Sequence, residues 1–138
     1  MTSSLVDSNI FIDLLEKDSP HARWSGVQLG LLAQLGPLVI NQIVYAELAV
    51  YFEYKPAPEM LLGQLRITRD DLPWAAAHLA GHAHVSYRRS GGQRHRVLTD
   101  FLIGAHAAAK GFRILTRDGT RYRNYFPQVE VIAPDTHP

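Results

Sequence analysis

Four carboxylates stand where the sequence around them is apolar, and they are the residues most able to do chemistry. Glu47 lies inside Ile43-Val44-Tyr45-Ala46-Glu47-Leu48-Ala49-Val50-Tyr51. On a helix its neighbours three and four residues away are Ile43, Val44, Val50 and Tyr51, so no local base can pair with it. An isolated buried carboxylate is costly unless it is paired or bound to a metal. Asp100 interrupts Val97-Leu98-Thr99 and Phe101-Leu102-Ile103 in the same manner. Arg96, four residues before it, is an available partner, and Gly104, four residues after it, leaves room on that face. Asp7 follows Leu5-Val6 directly, and Asp118 follows Ile114-Leu115 by three residues. In open parallel sheets, ligands bind at the carboxyl ends of strands, where the strand order reverses.

Each acid has a plainer reading. Asp7 and Asp118 could cap a helix or turn, and Glu47 and Asp100 could pair with distant arginines. Taken together, four carboxylates with no HExxH pattern and no cysteine suit a hard cation, Mg²⁺ or Mn²⁺. Such ions clamp a phosphodiester, activate water and stabilise the leaving oxygen. Asp13, with Lys17 four residues on, and Glu53, beside a loop, read as solvated. His106 lies roughly 240° around a helix from Asp100, so it reads as packing or surface and not as a ligand.

The charge distribution adds a second clue. The net charge is only +1, yet residues 88–123 hold nine Lys or Arg against two acids, Asp100 and Asp118. Residues 1–87 hold five bases against nine acids. A local basic excess attracts a polyanion, although a solvated basic surface would look the same. Arg88, Arg89, Arg94, Arg96 and Arg117 are the candidate backbone contacts.

The elements that must position these residues are short. Residues 5–6, 38–40, 112–115 and 129–132 read as buried strands. Ser8 and Asn9 offer caps for a helix through residue 15, and Pro20 opens a second helix running to residue 35. Asn41 caps a helix over about 43–54, broken by Pro56 and Pro58, with helical spacing resuming over 59–66. Further helices follow Pro73 up to Arg89 and span 97–110, ending at Gly111. Residues after Gly119 read as a short polar segment. Short apolar strands alternating with helices predict a parallel sheet covered on both faces.

Length and composition agree with one ordinary globular domain over 1–138: 46% of its residues are hydrophobic and 20% charged. The absence of cysteine excludes disulfides, thiolate catalysis and Cys-ligated metals. No basic-then-apolar leader and no bilayer-length apolar run are visible, so the expected setting is soluble, cytoplasmic and away from membranes.

In order and spacing the segments are similar to those of the PIN-domain nucleases, and within them the VapC-type toxins of bacterial toxin–antitoxin modules. Residues 5–15, Leu-Val-Asp-Ser-Asn-Ile-Phe-Ile-Asp-Leu-Leu, resemble the family's opening strand and helix. Residues 44–48, 100–111 and 114–118 resemble the segments carrying its second, third and fourth acids. The resemblance implies a three-layer α/β/α fold and a divalent-metal-dependent endoribonuclease acting on cellular RNA. It also implies a homodimer and a small cognate antitoxin that blocks the site, with helices 20–35 and 43–66 the places to look for its surface. By the same resemblance Asn9 and Thr116 orient the first and fourth acids, and Asp118 is the most variable of the four. Two rivals remain: an aspartate-nucleophile phosphatase, which wants an acid where Asn9 stands, and a non-catalytic PIN-like module that only binds RNA or protein.

Overall fold

In the computed structural model, residues 2–16, 18–53, 56–92 and 97–138 are described. Five short strands, β1 (Ser4–Val6), β2 (Leu38–Ile40), β3 (Thr68–Arg69), β4 (Arg113–Leu115) and β5 (Val131–Ile132), form one parallel sheet. Their order is β3-β2-β1-β4-β5. β1 is therefore central: Leu5 sits beside Val39 on one side and Ile114 on the other. All three are buried, as a strand covered on both faces requires.

The helices are α1 (Ser8–Leu15), α2 (Ala22–Leu35), α3 (Gln42–Tyr51), α4 (Pro56–Gln64), α5 (Trp74–Arg89), α6 (Val97–Lys110) and α7 (Thr120–Tyr125). The chain steps outward from β1 through β2 to β3, then returns past β1 to β4 and β5. Right-handed crossovers in opposite directions place helices on opposite faces, which yields three layers, α/β/α. The switch point of the sheet falls between β1 and β4. Asp7 and Thr116 emerge there, with the Asp7 N–H donating to the Leu115 carbonyl at 2.9 Å.

Several local expectations need correction. Of the candidate caps for α1, Asp7 is the one used, accepting the Ser8 N–H, and Ser8 and Asn9 lie inside the helix. Pro20 precedes α2, whose first residue is Ala22. Pro56 and Pro58 lie inside the first turn of α4, where a proline loses no hydrogen bond, so they open this helix and do not merely end the one before. α3 runs only to Tyr51. β3 was unexpected because it has just two exposed residues on the sheet edge. The polar segment after Gly119 contains α7. Gly111, at φ 71°, ends α6 in the left-handed conformation that glycine adopts without strain.

Candidate active site

Asp7 is 6% exposed and takes three hydrogen bonds. Its Oδ1 accepts from the Ser8 amide at 2.8 Å; its Oδ2 accepts from Thr116 Oγ1 and Tyr122 Oη, each at 2.9 Å. Thr116 Oγ1 in turn accepts from Asn9 Nδ2 and from the Asp118 amide, both at 3.2 Å. Asn9 Oδ1 receives the Arg117 amide at 3.1 Å. One network therefore joins the ends of β1 and β4 and orients Asp7 before any ligand arrives.

Glu47 reaches the same place from α3. Its Oε1 is buried without a hydrogen-bond partner in the structure. Burial first, then the charges of Asp7 and Asp100, push its carboxyl up to about 7, which the Ser8 hydroxyl offsets only in part. Asp100, in the first turn of α6, is pushed up to about 6 by burial and then by Asp7, with Asp118 adding to the rise. Arg121 on α7 pairs with Asp100 Oδ2 and pulls in the other direction. Burial raises Asp7 above the ordinary carboxylate range despite its three donors, and Asp118 repels it as well. The Tyr122 hydroxyl is held well above its usual value by burial and by these acids, so it stays a donor to Asp7. Asp118 is the exposed member.

Asp7, Glu47 and Asp100 are thus raised together at one crevice, with the charge of Asp118 acting on Asp7 and Asp100, as like charges gathered for a cation do. A hard divalent ion suits this donor set, since it would satisfy the orphaned Glu47 oxygen and relieve the repulsion. As the side chains stand, no group of three or more His, Asp or Glu among the described residues could enclose a metal. The Arg121 guanidinium now supplies the positive charge at Asp100.

The basic stretch is less free than its composition suggests. Lys110 pairs with Asp70, Arg113 with Glu130, Arg117 with Asp13 and Arg123 with Asp135. Arg88 and Arg89, at the exposed end of α5, have no ion-pair partner among the described residues. Arg94 and Arg96 lie outside the described residues, and Asp100 is partnered by Arg121. Asp13 overturns its reading as solvated: it is 2% exposed and accepts from Ser19 and Ser25 besides pairing with Arg117. The room at Gly104 is filled from within, because a Cβ there would stand 2.4 Å from the Phe126 ring. His106 packs as expected, fully buried, but it also carries hydrogen bonds to Asn41 and Asp70.

Tyr122 and Arg121 are the site residues that the sequence reading missed. The available signal was Tyr122 and Phe126 at helical spacing within an otherwise polar segment. Six residues are too few for that period to stand out.

A parallel, three-layer α/β domain with acids converging at its switch point defines a class in which a crevice above the sheet is the working surface. The sequence model of the PIN domain matches residues 4–126, and the chain belongs to that family. A search of the curated proteins finds no match by sequence. Among solved structures, the fold is similar to VapBC2 from Rickettsia felis bound to a promoter DNA fragment, at 20% identity and a TM-score of 0.73, covering 96% of this chain and 98% of that one. It is also similar to FitAcB from Neisseria gonorrhoeae, at 20% identity and a TM-score of 0.70, covering 98% and 99%. A third is VapBC-1 from nontypeable Haemophilus influenzae, at 20% identity and a TM-score of 0.67, covering 96% and 98%.

Proposed function

We propose that this protein is a Mg²⁺- or Mn²⁺-dependent endoribonuclease, the toxin of a type II toxin–antitoxin pair acting in the cytoplasm. The observation that carries the reading is the mutual repulsion of Asp7, Glu47 and Asp100 at the switch point, with a Glu47 oxygen left buried and unpartnered. Asp7, Glu47 and Asp100 would hold the ion, and Asp118 would complete the set. When bound, the ion supplies charge neutralisation at the scissile phosphate and activation of water. Thr116, Asn9 and Tyr122 hold Asp7 in place. Arg88 and Arg89, without an ion-pair partner among the described residues, would contact the RNA backbone, and Arg94, Arg96 and Arg117 complete the basic stretch.

The VapBC and FitAcB neighbours support an antitoxin partner for this chain. Val27, Leu31 and Leu35 form a stripe along α2 and are each about half exposed, at 51%, 52% and 52%. Such a stripe suits an amphipathic antitoxin segment or the second copy of a homodimer. No helix among the described residues is long and apolar enough to cross a membrane.

The test is cleavage of tRNA and rRNA by the purified protein with Mg²⁺ or Mn²⁺ titrated. Asp7→Asn and Asp100→Asn should each lose at least about 100-fold in rate. Undiminished cleavage by either variant would overturn the assignment. The Arg121–Asp100 pair and the lack of a ready metal-enclosing group among the described residues favour a non-catalytic binding module, and calorimetry separates the two: a working site binds Mn²⁺, and a binding-only module does not.

A further inference from the structure

Beside the acids lies a second cleft that the proposed chemistry leaves unused. It has a volume of about 270 Å³ and is lined by Tyr87, Asp118, Thr120, Arg121, Asn124 and Tyr125. That is close to the lower limit of about 300 Å³ for small-molecule sites, room for one planar ring system and not for a dinucleotide.

Its walls are aromatic and held rigidly. Tyr87 on α5 and Tyr125 on α7 stand edge to face, with ring centres 5.9 Å apart. Both also pack against Phe101, at 5.6 and 5.1 Å, and Phe101 is fully buried. A Cβ at Gly92 would stand 2.1 Å from the Tyr87 ring, so the backbone there lies close against it. The Arg121 guanidinium, another of its walls, lies over the Tyr87 ring, 5.7 Å from its centre. Asn124 is exposed at its rim, and among the described residues its amide makes no hydrogen bond.

Two features orient the cleft toward RNA. Asp118 and Arg121 line it, and both also act on Asp100, so whatever fills it lies beside the acids. Arg88 and Arg89 follow Tyr87 directly in the chain. Single-stranded RNA is recognised by stacking unpaired bases on aromatic rings and by hydrogen bonds to their edges. A side-chain amide offers both a donor and an acceptor for that purpose.

We propose that this cleft receives one unpaired base flanking the cleaved phosphodiester, its face on one ring of the Tyr87–Tyr125 pair and its edge toward the other, and read by Asn124. The proposal rests on the ribonuclease reading for its substrate, but it can be tested without cleavage. Adenosine 5′-monophosphate, titrated into the full chain in EDTA, should shift the ring resonances of Tyr87 and Tyr125. Ribose 5-phosphate at the same concentration should leave them in place. Asn124→Ala, an exposed substitution, should weaken nucleotide binding about 5- to 50-fold. It should also relax the base preference beside the cut in mapped RNA. Equal shifts with ribose 5-phosphate, or an affinity untouched by Asn124→Ala, would overturn the base cleft. Nucleotide binding in EDTA without any Mn²⁺-dependent cleavage would uphold the cleft and sink the nuclease reading instead.

Discussion

Asn41 and His106 are joined by a 3.0 Å hydrogen bond that ties together the helices carrying Glu47 and Asp100. Asn41 Oδ1 is already occupied, capping α3 by accepting the amides of Ile43 and Val44 at 3.0 and 3.1 Å. Its amide nitrogen must therefore donate to His106 Nδ1. That places the imidazole proton on Nε2, which donates to Asp70 Oδ2 at 2.6 Å. Glu47 lies six residues after Asn41 and Asp100 six residues before His106, so this buried bond sets the relative position of two acids from a distance.

His106→Ala should accordingly harm both stability and chemistry. It leaves a cavity and strands the Asn41 amide, at a cost of roughly 2–4 kcal/mol in urea unfolding. Metal affinity should fall as well, because the helices bearing Glu47 and Asp100 lose a shared anchor. Wild-type stability and wild-type Mn²⁺ affinity together would refute the anchoring role.

The raised acids make a pH prediction of definite sign. Glu47 rises from 4.5 to about 7 and Asp100 from 3.8 to about 6 on folding. Between about pH 4 and 7 the folded, metal-free chain holds protons that the unfolded chain has released. Its stability therefore falls as pH rises through that window. Glu47→Gln should flatten the fall and raise the Tm at pH 8 by roughly 3–6 °C, the effect of about 1 kcal/mol in a domain of this size. Saturating Mg²⁺ should stabilise the wild type more at pH 8 than at pH 5.5. A variant whose Tm tracks that of the wild type across the whole range would contradict the coupling.

Arg121 competes with any cation for Asp100. Removing it with Arg121→Gln should tighten Mn²⁺ binding about 2- to 5-fold by calorimetry, the modest gain expected from a part-exposed ion pair. The same variant should raise the Asp100 carboxyl further, since the guanidinium is what holds it down. Weaker Mn²⁺ binding would show that Arg121 supports the ion and does not oppose it.

Gly104→Ala tests the packing beneath the site. The added methyl meets the Phe126 ring at 2.4 Å, and Phe126 is 1% exposed. Overpacking of this kind should cost roughly 1–3 kcal/mol. A Tm within about 1 °C of wild type would mean that the ring yields easily.

The elements of the fold were legible where a period could be counted. The strand over Leu38–Ile40, the helix over Val97–Lys110 and the stop at Gly111 follow from apolar spacing and a glycine signal. β3 and α7 were not legible, because two and six residues carry too little periodicity to separate them from loop. The family resemblance narrowed the choice of acids, but the most telling feature, Glu47 on an apolar face, needed only its neighbours in sequence.

Local sequence thus singled out Glu47 and Asp100 as carboxylates among apolar neighbours, since the cost of burying a charge depends on the residues beside it, but it missed Asp13. What each acid is opposed by is a matter of tertiary structure. Asp7 is held by Tyr122, 115 residues away; Asp100 faces Arg121, 21 residues on; Asp13 is buried against Arg117 and not solvated. Hydrogen bonds and ion pairs depend on distance in space, and the crossover that brings β1 beside β4 is what makes residues at opposite ends of the chain neighbours.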